Sequence, residues 1–170
     1  MQLLTASRRR FLAALLAMSC AAPAGALDAP AGRVVLTITG DIEQRNSGEG
    51  AQFDVAMLEK LPVKSFSTRT PWFPEPRKFT GVLMRDLLAA VGARGQTAKA
   101  IALNDYRVDI PLEDARQHDL LVAWLLDDKP MAVRDKGPLV VIYPFDAHPE
   151  LKTAIKYSRA AWQLKQLDVR

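Results

Sequence analysis

The sequence predicts a single α+β domain with a mixed sheet, preceded by an N-terminal segment that is removed from the mature protein. Segments with the pattern of β-strands outnumber long helical segments, which is typical of mixed α+β domains. The first 26 residues begin with basic residues, continue into a short apolar stretch and contain no acidic residue. The remaining residues, about 144, can bury roughly two thirds of their unfolded surface, which suits one core and not two.

The N-terminal segment has the three parts of a signal peptide. Ser7–Leu12 is basic, Phe11–Met18 is apolar, and Ala24-Gly25-Ala26 forms a small-x-small cleavage site. We therefore predict a signal peptide over 1–26 and a periplasmic domain over 27–170. The Ser-Arg-Arg-x-Phe-Leu string resembles twin-arginine export signals, which move folded proteins, although general secretion could also accept this peptide. The apolar stretch is shorter than the roughly 20 residues that cross a bilayer, so we expect no membrane span in the mature form.

Cleavage after Ala26 changes the charge and the chemistry of the protein. It lowers Lys+Arg from 23 to 20 against 19 Asp+Glu, which leaves a net charge of +1 and gives no reason to expect a nucleic-acid partner. It also removes Cys20, the one cysteine of the chain. The mature protein therefore has no disulfide and no thiolate metal ligand. Lipidation at Cys20 is an alternative, but the leucine usual three residues before such a cysteine is missing.

The first half of the domain alternates short elements with turns. Val34–Thr39 is β-branched and flanked by glycines, which predicts the first strand. Asp41–Gly50 is predicted as a loop, and Asp54–Leu61 as a short helix stopped by a proline. Val63–Thr70 alternates weakly, as an edge strand does. Pro71–Pro76 contains three prolines in six residues, which fix φ and remove backbone donors, so we predict no regular structure there.

The second half has stronger signals. Apolar residues over Val82–Val91 form one helical stripe, and Gly92 is placed to cap that helix. Two apolar segments flank Asn104-Asp105, which predicts a β-hairpin. The remaining predictions are helical turns over Pro111–Gln117, strands over Leu120–Leu126 and Leu139–Tyr143, a helix over Glu150–Arg159 and a last strand, with a bulge, over Trp162–Val169.

Common catalytic and metal-binding motifs are absent from the sequence. It contains no P-loop, no G-x-G-x-x-G, no G-x-S-x-G and no H-E-x-x-H. His118 and His148 are 30 positions apart, and neither has a second ligand at helical spacing. A zinc site needs three or four convergent ligands, so we expect both histidines on the surface and no metal site.

Five phrases occur along the chain in an order and at spacings that point to one family. They are Phe79–Leu88, Ala102–Tyr106, Leu120–Trp124, Met131–Pro144 and Trp162–Val169. Together they resemble the oxidoreductase molybdopterin-binding domain of the sulfite oxidase type, and most closely its short, exported bacterial branch. The resemblance covers about Val34 to Val169 and implies the sulfite oxidase fold.

The resemblance also implies where the chain departs from catalytic members. In those members a cysteine thiolate coordinates molybdenum, whereas the corresponding segment here, Ser65–Trp72, has no cysteine. A neutral hydroxyl group cannot replace a thiolate as a molybdenum ligand with similar affinity for the metal. We therefore expect a cysteine-less relative that binds a small anionic ligand or a periplasmic or membrane sensor protein. A molybdenum-cofactor oxidoreductase with atypical ligation is the alternative, and a purely structural domain is a third.

Candidate site residues are taken from segments near the family-like phrases. An anionic cofactor phosphate would need basic side chains, for which the candidates are Arg69, Arg134 and Lys136. The expected pocket walls are Thr68, Trp72, Asn104, Asp105 and Tyr106. Solvated surface charge is the alternative for the basic residues, and Trp72 is either a loop anchor or a lid. Tyr143 and Trp162 are expected in the core because they lie in apolar strands.

Overall fold

The structure is a computed structural model that describes residues 27–170, and the predicted signal peptide, residues 1–26, lies outside the described residues. The strands are β1 Leu36–Gly40, β2 Ala51–Phe53, β3 Val63–Thr70, β4 Phe73–Leu83, β5 Thr97–Ala102, β6 Arg107–Pro111, β7 Leu121–Leu126, β8 Lys129–Pro130, β9 Val140–Ile142 and β10 Leu164–Val169. The α-helices are α1 Val55–Glu59, α2 Met84–Ala90, α3 Leu112–Gln117 and α4 Ala154–Arg159, with 3-10 helices at Val133–Asp135 and Pro149–Leu151. Within residues 27–170, no helix is long and apolar enough to cross a membrane.

The strands form two sheets. The first has the order β2-β1-β10-β5-β6, and the second has the order β3-β4-β7-β8 with β9 also paired to β7. β1 and β10 run parallel, whereas the other pairs in both sheets are antiparallel. The helices are short and lie between strands. The predicted class, α+β with a mixed sheet, is therefore confirmed.

One hydrophobic core joins the two sheets and α2. Leu36 and Ile38 of β1 and Leu87 of α2 are fully buried members of it, as are Phe79 and Tyr143. Alternation along β1 and β5 buries every second side chain, as expected for strands with one face toward a core. The expectation that Tyr143 is a core residue is confirmed.

The β3/β4 hairpin corrects the prediction that Pro71–Pro76 has no regular structure. β4 begins at Phe73 and includes Pro74 and Pro76. Pairing of β4 with β7 starts only at Phe79, so the proline-containing part of β4 has a partner on one side at most. The β3/β4 register also shifts between Thr68 and Thr70. Proline is tolerated in such a place because no ladder hydrogen bond needs its missing N–H.

The helix predicted over Val82–Val91 is present as α2, but it begins later than predicted. Val82 and Leu83 belong to β4, because they pair with Val122 and Leu121 of the buried strand β7. The helix itself covers Met84–Ala90. Gly92 has a φ of +61°, which confirms its predicted role as the residue that ends the helix.

The predicted bulge in the last strand is also present. The register of β10 against β5 shifts between Leu164 and Gln166. The strand itself starts at Leu164, later than predicted, so Trp162 lies before it.

Candidate functional site

A small pocket with aromatic walls lies where three separate parts of the chain meet: the β3/β4 turn, the β5/β6 turn and the end of α4. Its volume is about 270 Å³. Its walls are Trp72, Asn104, Tyr106, Tyr157, Ser158, Ala160 and Trp162, and we call this cavity the aromatic pocket. Small-molecule sites usually measure about 300–1,000 Å³, so the aromatic pocket suits a small ligand.

A larger groove of about 590 Å³ crosses β1 and β10. Its walls combine aliphatic side chains, among them Val34, Leu103 and Val133, with scattered polar groups. No aromatic side chain lines it, and none of the eight predicted site residues does. The aromatic pocket contains three of those residues and is therefore the better candidate.

Trp72 forms the wall on the β3/β4 side. It occupies the turn between the two strands, where Pro71 precedes it. Its ring meets the ring of Trp162 at a centroid distance of 5.1 Å and the ring of Tyr157 at 6.1 Å, both edge to face. Such contacts stabilise aromatic pairs beyond the area they bury. Trp72 is thus both anchored to the core and exposed to the pocket.

The β5/β6 turn forms the opposite wall. Asp105 has a φ of +62°, a left-handed conformation that Asp tolerates better than most residues. The Asn104 side-chain oxygen accepts a hydrogen bond from the Tyr106 N–H at 3.1 Å. The Tyr106 hydroxyl donates to the Ser158 carbonyl at 2.8 Å, which joins this turn to α4 across the pocket rim.

The position of α4 depends on Asp114, a buried carboxylate of α3. Asp114 accepts hydrogen bonds from Lys156 at 2.7 Å, from Arg159 at 2.9 Å and from the Tyr143 hydroxyl at 2.9 Å. Burial alone would raise the pKa of Asp114, but the hydrogen bonds from Lys156 and Tyr143 and the two positive charges outweigh burial and lower it. Asp114 therefore stays ionised and holds the helix that carries two pocket residues.

Among the three predicted basic residues, Lys136 alone lies against the aromatic cluster. Its Nζ is 5.3 Å from the ring centre of Trp162, within cation–π range. Its backbone is left-handed, with a φ of +73°, and its carbonyl accepts from the Gln163 N–H at 2.9 Å. Arg69 lies 3.7 Å from the Asp146 carboxylate, and Arg134 is mostly exposed beside Asp135. These two arginines are not brought together with the pocket.

Two predicted wall residues lie elsewhere. Thr68 is buried, and its hydroxyl accepts a hydrogen bond from the Asp146 N–H at 3.1 Å, so it fixes β3 to the loop after β9. The Asp105 carboxylate points to Lys165, at 3.1 Å, and not into the pocket. Of the five predicted wall residues, Trp72, Asn104 and Tyr106 line the aromatic pocket.

Three further pocket residues, Tyr157, Ser158 and Trp162, are not among the residues predicted from the sequence. Trp162 was expected in the core, but it is only partly buried and lies before β10, in an isolated bridge to Val140. Its indole Nε1 is buried without a hydrogen-bond partner among the described residues. Tyr157 and Ser158 come from a short helix whose position depends on Asp114, and no local sequence pattern marks that contact.

The two histidines are closer together than their separation in sequence suggested. Their ring centres are 4.9 Å apart, and both residues are partly buried, with Glu150 beside them. Sequence spacing does not show this proximity, because it arises where the loop after α3 and the loop after β9 meet in space.

Comparison with known proteins agrees with the fold. Residues 52–146 match the family model described as oxidoreductase molybdopterin binding domain. Among solved structures, the chain is similar to the sulfane dehydrogenase SoxCD from Paracoccus pantotrophus, with a TM-score of 0.59 and 14% identity. That similarity covers 79% of this chain and 37% of the SoxCD chain, so this chain spans little more than a third of its neighbour. None of the curated proteins matches the sequence. Since the family model covers more than half of the chain, the protein belongs to the oxidoreductase molybdopterin binding domain family and has the sulfite oxidase-type fold.

Proposed function

We propose that this protein is an exported member of the family that binds a small aromatic anion in the aromatic pocket. The observation that carries the proposal is the combination of four aromatic side chains around a small cavity with the Lys136 ammonium group against one of them. Rings of Trp72 and Tyr157 offer stacking surfaces for a flat ligand. Lys136 offers a positive charge for an anionic group, and, unlike Arg69 and Arg134, it has no carboxylate partner within residues 27–170.

Molybdopterin, the cofactor that the family name implies, does not fit the candidate residues of this chain. Residues 27–170 contain no cysteine, so they offer no thiolate for molybdenum, and the hydroxyl groups of Ser65–Thr70 are poor substitutes. Arg69 and Arg134 lie beside carboxylates instead of converging on a phosphate site. The pocket is also below the usual size for a ligand as large as this cofactor. We therefore assign no catalytic step to these residues.

Binding of benzoate tests the ligand class. We expect benzoate to change the fluorescence of the purified protein, because Trp72 and Trp162 line the pocket, whereas benzyl alcohol, which has the ring without the charge, should bind more weakly. Lys136→Ala should weaken benzoate binding about tenfold, since a charge-assisted hydrogen bond contributes about 1.5–3 kcal/mol and Lys136 is partly solvated. Fluorescence titration of each variant provides the measurement.

Lys129→Ala is the matched control, because Lys129 is an exposed lysine on β8 that, unlike Lys136, does not lie against an aromatic ring of the pocket. Its benzoate affinity should equal that of the unmodified protein. Equal affinity for benzoate and benzyl alcohol, or an unchanged affinity in Lys136→Ala, would contradict an anion site at Lys136.

Cell fractionation and cofactor analysis test the rest of the proposal, which is export by the twin-arginine route without molybdopterin. In a host with an intact cofactor pathway, the protein should occur in the periplasm and contain no stoichiometric molybdenum and no pterin. Replacing Arg8 and Arg9 with lysine should retain the precursor in the cytoplasm, since the route recognises the arginine pair. One molybdenum per chain, lost in Arg69→Ala or Arg134→Ala, would instead favour the oxidoreductase with atypical ligation.

A further inference from the structure

We propose that His118, His148 and Glu150 form a binding site for a divalent transition-metal ion of the Zn²⁺ class. One potential ligand atom from each residue lies within 4.8 Å of the other two. Metal–ligand bonds of about 2.0–2.2 Å place two ligands of one ion up to roughly 4 Å apart, so small side-chain rotations bring all three atoms onto one ion. None of the three residues lines the aromatic pocket, so this site is separate from the proposed ligand site.

The hydrogen bonding of His118 leaves the imidazole available. His118 Nδ1 is buried and has no hydrogen-bond partner among residues 27–170. A buried nitrogen without a partner costs free energy and calls for an explanation such as an ion. His148 Nδ1 lies 3.1 Å from Glu150 Oε1, so a second imidazole and the carboxylate already face each other.

Backbone hydrogen bonds hold both histidines in place. The His118 N–H donates to the Asp114 carbonyl at 3.0 Å, and the His118 carbonyl accepts from Leu120 at 2.9 Å. The His148 N–H donates to the Pro144 carbonyl at 3.1 Å, and Leu151 donates to the His148 carbonyl at 2.9 Å. A metal would therefore meet ligands whose backbone is already ordered, which lowers the entropic cost of binding.

The charges around the cluster permit a cation. The Arg85 guanidinium reaches the His118 carbonyl, but the Asp119 carboxylate, 2.7 Å away, neutralises the charge of Arg85. Asp119 also lies 3.7 Å from the Lys64 ammonium group. Glu150 adds a carboxylate to the cluster, and its side chain is 64% exposed to solvent.

The ligand set indicates which metals bind. Two imidazoles and one carboxylate suit Zn²⁺, Co²⁺ or Ni²⁺ better than Ca²⁺ or Mg²⁺, which prefer oxygen ligands. Three protein ligands leave at least one position for water or for another molecule. The ion would also join the loop after α3 to the 3-10 helix at Pro149–Leu151, two segments that are distant in sequence.

The test is calorimetric titration of Zn²⁺ into tag-free full-length protein that has been treated with a chelator and then freed of it. We expect one Zn²⁺ per chain and a rise in Tm on zinc addition, because the ion binds the folded state. His118→Gln and His148→Gln should each weaken binding at least about 100-fold, since substitutions outside the ligand shell alone cost about 10–100-fold. Co²⁺ in place of Zn²⁺ should give visible absorption bands that both variants lose.

Glu150→Gln should weaken binding less, and Glu113→Gln, an exposed glutamate of α3 outside the cluster, should leave it unchanged. If His118→Gln does not fold, His148→Gln and Glu150→Gln provide the same test. Absence of saturable zinc binding, or equal binding by the unmodified protein and His148→Gln, would overturn the proposal.

Discussion

Leu87→Ala should lower the free energy of unfolding by about 2–5 kcal/mol, the usual cost of truncating a fully buried leucine. Leu87 is 0% exposed and belongs to the core that joins α2 to both sheets. The loss combines the transfer of the removed methyl groups with a cavity that close-packed neighbours fill only in part. Denaturant unfolding, with the slope compared between variants, measures it.

Leu103→Ala is the matched control, because Leu103 is a leucine with 42% of its surface exposed. The free energy of unfolding of Leu103→Ala should stay within about 0.5 kcal/mol of that of the unmodified protein, as for most surface substitutions. A loss within about 0.5 kcal/mol in Leu87→Ala as well would mean that the core does not include the face of α2 that carries Leu87.

Local patterns predicted the elements whose stability is local. The β5/β6 hairpin follows from Asn104-Asp105, and the left-handed φ of Asp105 is the conformation that such a turn requires. The end of α2 follows from Gly92. In both cases the residue that fixes the backbone is next to the element it ends.

Tertiary contacts decided what the sequence left ambiguous. The apolar run over Val82–Val91 is compatible with a helix throughout, but pairing with β7 assigns its first two residues to a strand. Gly81 explains why β7 can approach there, since a Cβ at that position would lie 2.2 Å from the Val122 carbonyl oxygen. Such a requirement is visible only when both strands are placed.

The candidate site was predictable where its residues lie in turns, and not where tertiary contacts decide the surroundings of a side chain. Trp72, Asn104 and Tyr106 lie in turns, and turns commonly carry binding residues. Arg69 and Arg134 are reasonable candidates by residue type, but Asp146 pairs with Arg69 and Asp135 lies beside Arg134. Asp146 is 77 positions from Arg69, so sequence alone does not reveal that partner.

Asp114→Asn should destabilise the protein by about 2–3 kcal/mol at pH 7, because it removes the charge that Lys156 and Arg159 neutralise and leaves both cations without a partner. All three side chains are largely buried, so solvent screens the interaction only weakly. The same change should weaken benzoate binding, because Asp114 holds the helix that carries Tyr157 and Ser158.

The pH dependence of the free energy of unfolding shows how much of the contribution of Asp114 comes from its negative charge. Its folded-state pKa is lowered, so its contribution is fully present above the unfolded pKa, about 3.9, and is lost as the pH falls through the folded value. Asp54, Asp119, Asp127 and Asp146 also have lowered pKa values, so the unmodified protein and the variant both lose stability in acid.

The difference between the unmodified protein and Asp114→Asn isolates the one carboxylate. Measured by urea unfolding, that difference should be constant from about pH 5 to 7 and should shrink below about pH 4. Asp135→Asn, at an exposed aspartate beside Arg134, should change stability by less than about 0.5 kcal/mol at every pH. Parallel stability curves for the unmodified protein and Asp114→Asn, with no convergence in acid, would mean that the Asp114 charge does not hold α4 in place.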